Sequence, residues 1–210
     1  MYSLPHFKEK HPARIMEFMQ QHPFITLCGT DANQQPVVTQ VPVLISEEQG
    51  TIRIRGHIMK QTDHHLAFEN NKQVLALFTS PHTYVSASWY TNKQQGSSWN
   101  YISVHARGSI SFLPEEGLIQ LLDDLTSHFE NDTNSPSLFK HIPGEYVSRM
   151  VKAIVAFEIK VDTIEHVFKL SQNRDAESFE NIIHQLEQRD AGAKYIAEEM
   201  RKRKQELYPG

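Results

Sequence analysis

The sequence predicts an α+β fold, mainly β with helices, in which an antiparallel barrel is surrounded by helices. Short apolar segments rich in β-branched residues alternate with polar turns. Segments with the helical period of about 3.6 residues occur too irregularly to give the strand–helix alternation of a parallel sheet. A chain of 210 residues is long enough for one compact domain, or for one domain with a small appendage.

The N-terminal quarter of the sequence predicts one helix and three strands. Three apolar residues share one helical face and predict a helix over residues 11–21, namely Ile15, Phe18 and Met19. Residues 24–27 are apolar and β-branched and predict a strand, and residues 29–31 predict a turn. Residues 36–46 predict a second strand, and residues 51–56 a third, because isoleucines and arginines alternate there with period two.

The middle of the chain predicts a helix and further strands. Residues 64–70 are typical of one helical segment, and residues 74–78 form an apolar run that predicts a buried strand. Residues 84–90 and 99–112 are also strand-like, and a polar loop separates them. Gly108 predicts a bulge in the second of these strands.

The C-terminal part of the sequence predicts more helix than strand. Four leucines predict a helix after Pro114, namely Leu118, Leu121, Leu122 and Leu125. Residues 145–153 predict a helix, and residues 154–161 and 166–170 predict two separate strands. The total is six to eight strands. We expect a barrel domain over residues 1–174 and a helical hairpin over residues 175–210.

Composition excludes several classes of protein. The net charge of −4 argues against a strongly basic nucleic-acid-binding domain. The single cysteine, Cys28, excludes an internal disulfide framework and favours a reducing, cytoplasmic location. We expect neither a secretory leader nor a membrane span. The twelve histidines lack the HExxH spacing, so we expect no metal centre.

Two regions could bind a ligand. Residues 81–105 hold both tryptophans among hydroxyl and amide side chains, which could cradle a planar ligand or simply fill the barrel. Residues 53–62 place arginines, a lysine and a threonine at a strand-to-helix turn, which favours a phosphate site or an ordinary solvated face. The basic run at residues 201–204 predicts a nucleic-acid tail or, more simply, a solvated helix end.

Several segments together resemble the PaiB family, the FMN-binding negative transcriptional regulators. The resemblance covers nearly the whole chain, and its most specific segments are residues 86–90 and 169–173. The matching motifs are Gly56-His57, Pro81-His82-Thr83-Tyr84-Val85-Ser86-Ala87-Ser88-Trp89-Tyr90, Trp99-Asn100-Tyr101, Val104-His105 with Gly108, and Lys169-Leu170-Ser171-Gln172-Asn173-Arg174. The sequence departs from the family at Gln40, where a histidine is common, and at Ala153 and Ala156, where glycines are frequent.

The resemblance implies an FMN-binding split β-barrel, like that of pyridoxamine-phosphate oxidase, and a homodimer with two flavin sites at its interface. It implies that the flavin ring lies along Thr39, Gln40 and Val41. It places the phosphate at a turn made by Arg55, Gly56, His57, Lys60, Gln61 and Thr62. It implies that Trp99, Asn100 and Tyr101 meet a polar segment of the second subunit beside the flavin, with Lys169, Ser171 and Gln172 as its candidate residues.

The resemblance favours a negative transcriptional regulator, with DNA as a further partner of the homodimer. One alternative is an enzyme, an FMN-dependent oxidoreductase or flavin reductase, in which the cofactor supplies the chemistry. Another alternative is a haem-handling split barrel with a histidine ligand. The residues alone identify no catalytic group.

Overall fold

Six strands close into a barrel in the order β1–β2–β3–β6–β5–β4, as observed in a computed structural model that describes residues 1 and 4–209. The described strand pairs between β1, β2, β3, β4 and β6 are antiparallel, which confirms the predicted fold class. The strands are β1 (Phe24–Thr30), β2 (Pro36–Glu48), β3 (Thr51–Met59), β4 (Gln73–Val85), β5 (Ser98–Phe112) and β6 (Ile154–Lys169).

Six α-helices are present in the described part of the chain. They are α1 (Pro12–Gln21), α2 (Asp63–Asn70), α3 (Glu115–Glu130), α4 (Gly144–Ala153), α5 (Ala176–Glu187) and α6 (Ala191–Leu207). Three short 3₁₀ turns complete the structure, at Pro5–Phe7, Ala87–Trp89 and Phe139–His141. None of these helices is long and apolar enough to cross a membrane.

The chain divides into two compact units, each assembled from separate segments. The first unit comprises residues 1–16, 79–104 and 165–210, and the second comprises residues 17–78 and 105–164. The C-terminal helical hairpin therefore shares its unit with the N-terminal segment and with the middle of the chain.

In the second unit, α3 and α4 pack on the outside of the strands. Leucines at helical spacing on α3 contact Val151 of α4 and the first residues of β6, forming one apolar cluster. Gly108 on β5 lies directly against β6, where an added Cβ would be 2.1 Å from the carbonyl oxygen of Lys160. This close approach explains the glycine in the middle of a strand.

In the first unit, α5 and α6 form the predicted hairpin around a fully buried seam. Asp175 caps α5 by accepting from the amide of Ser178 at 2.8 Å, and Asp190 caps α6 by accepting from that of Ala193 at 3.0 Å. The amide and hydroxyl of Ser178 lower the pKa of Asp175 to about 2. The buried seam is formed by Phe179, Ile182, Ile183, Leu186, Ala193, Ile196, Ala197 and Met200.

Three sequence predictions about the elements are wrong. Gly29 and Thr30 belong to β1, since the turn begins later, where Asp31 accepts from the amides of Asn33 and Gln35. Residues 84–90 do not form one strand, because Ser86 caps a 3₁₀ turn that ends β4. Residues 154–161 and 166–170 belong largely to one continuous strand, β6, whose polar middle is a solvated stretch rather than a break.

Candidate functional site

In the second unit, β2 and β3 separate at the point where the resemblance places the flavin. β2 pairs with β1 from Pro36 to Pro42, but it pairs with β3 only from Val43 to Glu48. β3 itself continues to Met59 against β6. Within the described part of the chain, β1 is therefore the one strand that pairs with Thr39, Gln40 and Val41. The backbone groups on their other edge are available to a ligand.

Gly56 marks the start of this separation. An added Cβ would lie 2.8 Å from the ring of Phe157 and 3.0 Å from the carbonyl oxygen of Pro42. The glycine thus allows β2 and β3 to meet at their last shared pair. Beyond it, Val38 on β2 and Met59 on β3 expose 55% and 60% of their surface. Large exposed apolar side chains at an open strand edge are typical of a surface that a ligand or a partner chain covers.

The turn from β3 to α2 combines a cation, a hydroxyl and a helix N-terminus within three residues. Thr62 caps α2, since its Oγ1 accepts from the amide of His65 at 3.3 Å and donates to the carbonyl of Met59 at 2.9 Å. Gln61 has a φ of 62°, which gives the turn its sharp reversal. Lys60 is exposed and donates from Nζ to the carbonyl of Val151, in the last turn of α4, at 3.2 Å.

Arg55 and His57 lie on the outer face of β3, which α3 covers. Arg55 forms an ion pair with Asp124 of α3 at 3.2 Å, so the structure assigns it a partner that sequence reasoning missed. The register pairs His57 with Ala156, a member of the cluster beneath α3 and α4. The Nδ1 atom of His57 is buried and has no hydrogen-bond partner among the described residues, and burial lowers the pKa of His57.

These residues fit a phosphomonoester at the turn. A phosphate needs charge-assisted donors, and Lys60 supplies a cation beside the positive end of the α2 dipole. The Thr62 hydroxyl and the amides of His64 and His65 already form hydrogen bonds within the turn. The unpartnered Nδ1 of His57 is a further polar group on the same strand. The carboxylate of Asp63 opposes an anion there, but it already accepts from the amide and ring nitrogen of His64.

In the first unit, the two polar segments singled out in the sequence contact each other within one chain. Asn100 on β5 is 1% exposed, and its Oδ1 accepts from the hydroxyl of Ser171 at 3.1 Å. Ser171 has a φ of 64°.

Lys169 donates from Nζ to the hydroxyl of Ser98, and burial lowers the pKa of Lys169. Gln172 accepts from the amide of Leu170 at 2.8 Å and donates to the carbonyl of Phe168.

An aromatic cluster, formed by His82, Tyr84 and Trp99, lies beside these segments. The ring of Trp99 is 5.7 Å from that of His82 and 5.8 Å from that of Tyr84, and half of Trp99 is exposed. A cavity of about 280 Å³ opens beside the cluster and also touches Tyr101. The motif at residues 81–90 already contained His82 and Tyr84, but their contact with Trp99 depends on strand pairing that local sequence does not reveal.

The basic run on α6 is neutralised within the first unit. Arg201 forms an ion pair with Glu187 at 2.6 Å, and Lys202 forms one with Glu199 at the same distance. Arg203 is nearly buried between Glu199 and Glu9 at 2.8 and 2.9 Å. Paired in this way, the run is a helix surface held by ion pairs rather than a free cationic tail.

The sequence is similar to a known family of proteins and to a Bacillus protein. A family described as "Putative FMN-binding domain" matches residues 1–163. A Bacillus subtilis protein named "Protease synthase and sporulation protein PAI 2" is 32% identical over 201 residues, covering 95% of this chain and 96% of that protein. The family description confirms FMN as the cofactor that the resemblance implies.

Solved structures show the same fold at low sequence identity. The conserved hypothetical protein Rv2991 of Mycobacterium tuberculosis is similar with a TM-score of 0.56 and 13% identity, covering 80% of this chain and 91% of that chain. The FAD and haem binding protein of Mycobacterium smegmatis is similar with a TM-score of 0.55 and 16% identity, covering 77% and 72%. The fold, the family match and the Bacillus relative together show that the chain belongs to the PaiB family of FMN-binding split-barrel proteins.

Proposed function

We propose that this protein is a cytoplasmic FMN-binding homodimer that represses transcription. The observation that carries the flavin site is the separation of β2 from β3 after the pair Val43–Gly56, next to a turn with phosphate-binding groups. The regulatory role is supported by the Bacillus relative, whose name refers to protease synthase and sporulation rather than to a flavin reaction.

The FMN would lie along the open edge of β2. A flavin ring carries carbonyl and imide groups on one edge, and the backbone of Thr39, Gln40 and Val41 offers complementary groups. The phosphate would bind at Lys60 and Thr62, where the positive end of the α2 dipole adds to the lysine charge. Bound FMN supplies electron and hydride transfer, and the protein supplies position and electrostatics.

A second copy of the chain would close the site. Its Trp99 and Tyr101 would cover the flavin, while Lys169, Ser171 and Gln172 would keep Asn100 and the adjoining strand in place. The half-exposed Trp99 and the cavity beside it support this contact, because aromatic surface of that kind is normally covered. A dimer would then hold two FMN molecules.

Three measurements separate the candidate functions. The absorption spectrum of the purified protein distinguishes flavin from haem. Haem is an alternative because the similar protein of Mycobacterium smegmatis binds both FAD and haem. A DNA-shift assay on the protein's own upstream region tests repression through direct binding. NADH oxidation in the presence of FMN tests the alternative of a flavin reductase or FMN-dependent oxidoreductase.

The proposal predicts a flavin spectrum, a retarded DNA band and negligible NADH oxidation. A flavin spectrum with rapid NADH turnover and no DNA shift would instead identify the enzyme. Because α6 uses its basic residues in ion pairs, the same assay with Arg201→Gln is a control for binding through that helix. A loss of the shifted band in this variant would assign DNA contact to α6.

A further inference from the structure

A second cavity lies in the first unit and is lined by residues that have no assigned role in flavin binding. Its volume is about 400 Å³, which is at the small end of ligand sites and suits a single small molecule. The loop after β4 forms one wall, and one face of α5 forms the other. The lining residues on which the argument depends are Trp89, Tyr90, Lys93, Glu177, Asn181 and Gln185.

Four polar side chains in this cavity are available to a ligand. In the described chain, Lys93 and Glu177 are exposed and neither forms an ion pair, and the amides of Asn181 and Gln185 have no hydrogen-bond partner. The remaining polar groups in the wall are already used. Thr91 bonds to Asp175 at 3.0 Å, and His184 bonds to Gln188 at 2.9 Å.

The aromatic side of the cavity is formed by Tyr90 and Trp89. Tyr90 is 2% exposed, and the guanidinium of Arg174 lies 4.1 Å from its ring centroid. The Tyr90 hydroxyl is buried without a hydrogen-bond partner among the described residues. Burying a polar group without a hydrogen bond is unfavourable, so this hydroxyl marks an unusual position in the wall of the cavity. Trp89 is half-buried beside it and offers an apolar surface.

We propose that this cavity binds a free amino acid in its zwitterionic form. Its ammonium group would pair with Glu177 and its carboxylate with Lys93, while the amides of Asn181 and Gln185 bond to the remaining polar atoms. A neutral ligand would form no ion pair with either side chain, and a ligand with one charge would pair with only one of them. A zwitterion satisfies both, and the Trp89 ring accommodates its side chain.

The test uses the full-length protein and each of the twenty L-amino acids as probes. Thermal unfolding is measured with each probe at about 10 mM, because a ligand that binds only the folded state raises Tm. Isothermal titration then measures the affinity of any probe that stabilises the protein. The same titration is repeated with the amide of that amino acid, which lacks the carboxylate, and with the analogue that lacks the ammonium group.

We expect at least one amino acid to raise Tm and both analogues to bind at least about tenfold more weakly. Glu177→Gln and Lys93→Met should each cause a similar loss, whereas Glu116→Gln, an exposed glutamate on α3, should cause none. FMN affinity should be unchanged in all three variants, so this result is independent of the flavin site. No shift with any of the twenty amino acids, or unchanged affinity in both cavity variants, would overturn the proposal.

Discussion

Lys60 could hold the flavin phosphate or merely cap α4, and a single substitution distinguishes these roles. Its Nζ already donates to the carbonyl of Val151, but the side chain is exposed and can reach a ligand at the turn. A charge-assisted bond to phosphate contributes roughly 1.5–3 kcal/mol. We therefore expect Lys60→Ala to weaken FMN binding by about tenfold or more in a fluorescence titration.

The control for this prediction is Lys152→Ala, because Lys152 is an exposed lysine at the end of the same helix. It should bind FMN like the parent. If Lys60→Ala also binds FMN like the parent while remaining folded, the phosphate lies elsewhere and Lys60 serves α4 alone.

Two half-buried histidines predict how stability depends on pH. Burial lowers the pKa of His57, and burial together with the nearby Lys8 lowers the pKa of His166, whose Nε2 accepts from the amide of Glu9 at 3.1 Å. The unfolded chain therefore takes up more protons as pH falls through about 6.5. Their contribution to the free energy of unfolding is complete above that pH and is lost below it.

Urea unfolding at about pH 7.5 and about pH 5.5 measures this effect. The parent should lose stability between the two values, and the double variant His57→Gln with His166→Gln should lose less. His128→Gln, at an exposed position on α3, should behave like the parent. An equal loss of stability in the double variant and the parent would show that other groups govern the acid response.

At the scale of elements, the contact of β5 with β6 depends on Gly108. A methyl group there would lie 2.1 Å from a backbone oxygen, so the strands would have to move apart. Forcing extra volume into a packed site typically costs about 1–3 kcal/mol. We expect Gly108→Ala to lower Tm by several degrees in a calorimetric scan.

Gly96→Ala is the matched control, because an added Cβ at Gly96 meets nothing within 4 Å. It should leave Tm nearly unchanged. Equal values of Tm for the two variants would mean that the strands are not as close at Gly108 as described.

The sequence predicts elements with strong local signals and misses those that depend on distant contacts. The helical hairpin is correct because its apolar spacing and its two aspartate caps lie within the segment. β6 is divided wrongly because its polar middle is exposed yet continues the strand. The separation of β2 from β3 depends on register between segments, and no local pattern encodes where a ladder ends.

In the candidate site too, the sequence reveals features with a local signal and misses those that depend on distant contacts. The turn at Lys60 and Thr62 is visible in the sequence, because a threonine cap before a helix is a local signal. The partner of Arg55 is not visible, because Asp124 lies on a helix far along the chain. The basic run on α6 allows a nucleic-acid tail or, more simply, a solvated helix end from sequence alone. The ion pairs with Glu187, Glu199 and Glu9 favour the helix end.

At the scale of the whole molecule, the flavin site that we propose would require two chains. Light scattering at micromolar concentration should give twice the chain mass of 24.2 kDa. Trp99→Ala should weaken both the dimer and FMN binding, because one exposed aromatic residue would serve both contacts. A stable monomer that binds FMN with the parent's affinity would show that one chain completes the site.

Titration of flavin-free protein with FMN measures directly whether the proposed flavin site exists. We expect saturable binding of one FMN per chain, and therefore two per dimer. Riboflavin, which lacks the phosphate, should bind at least about tenfold more weakly because it cannot use Lys60 and Thr62. Absence of saturable FMN binding, or equal affinity for FMN and riboflavin, would contradict the proposed site between the open edge of β2 and the β3–α2 turn.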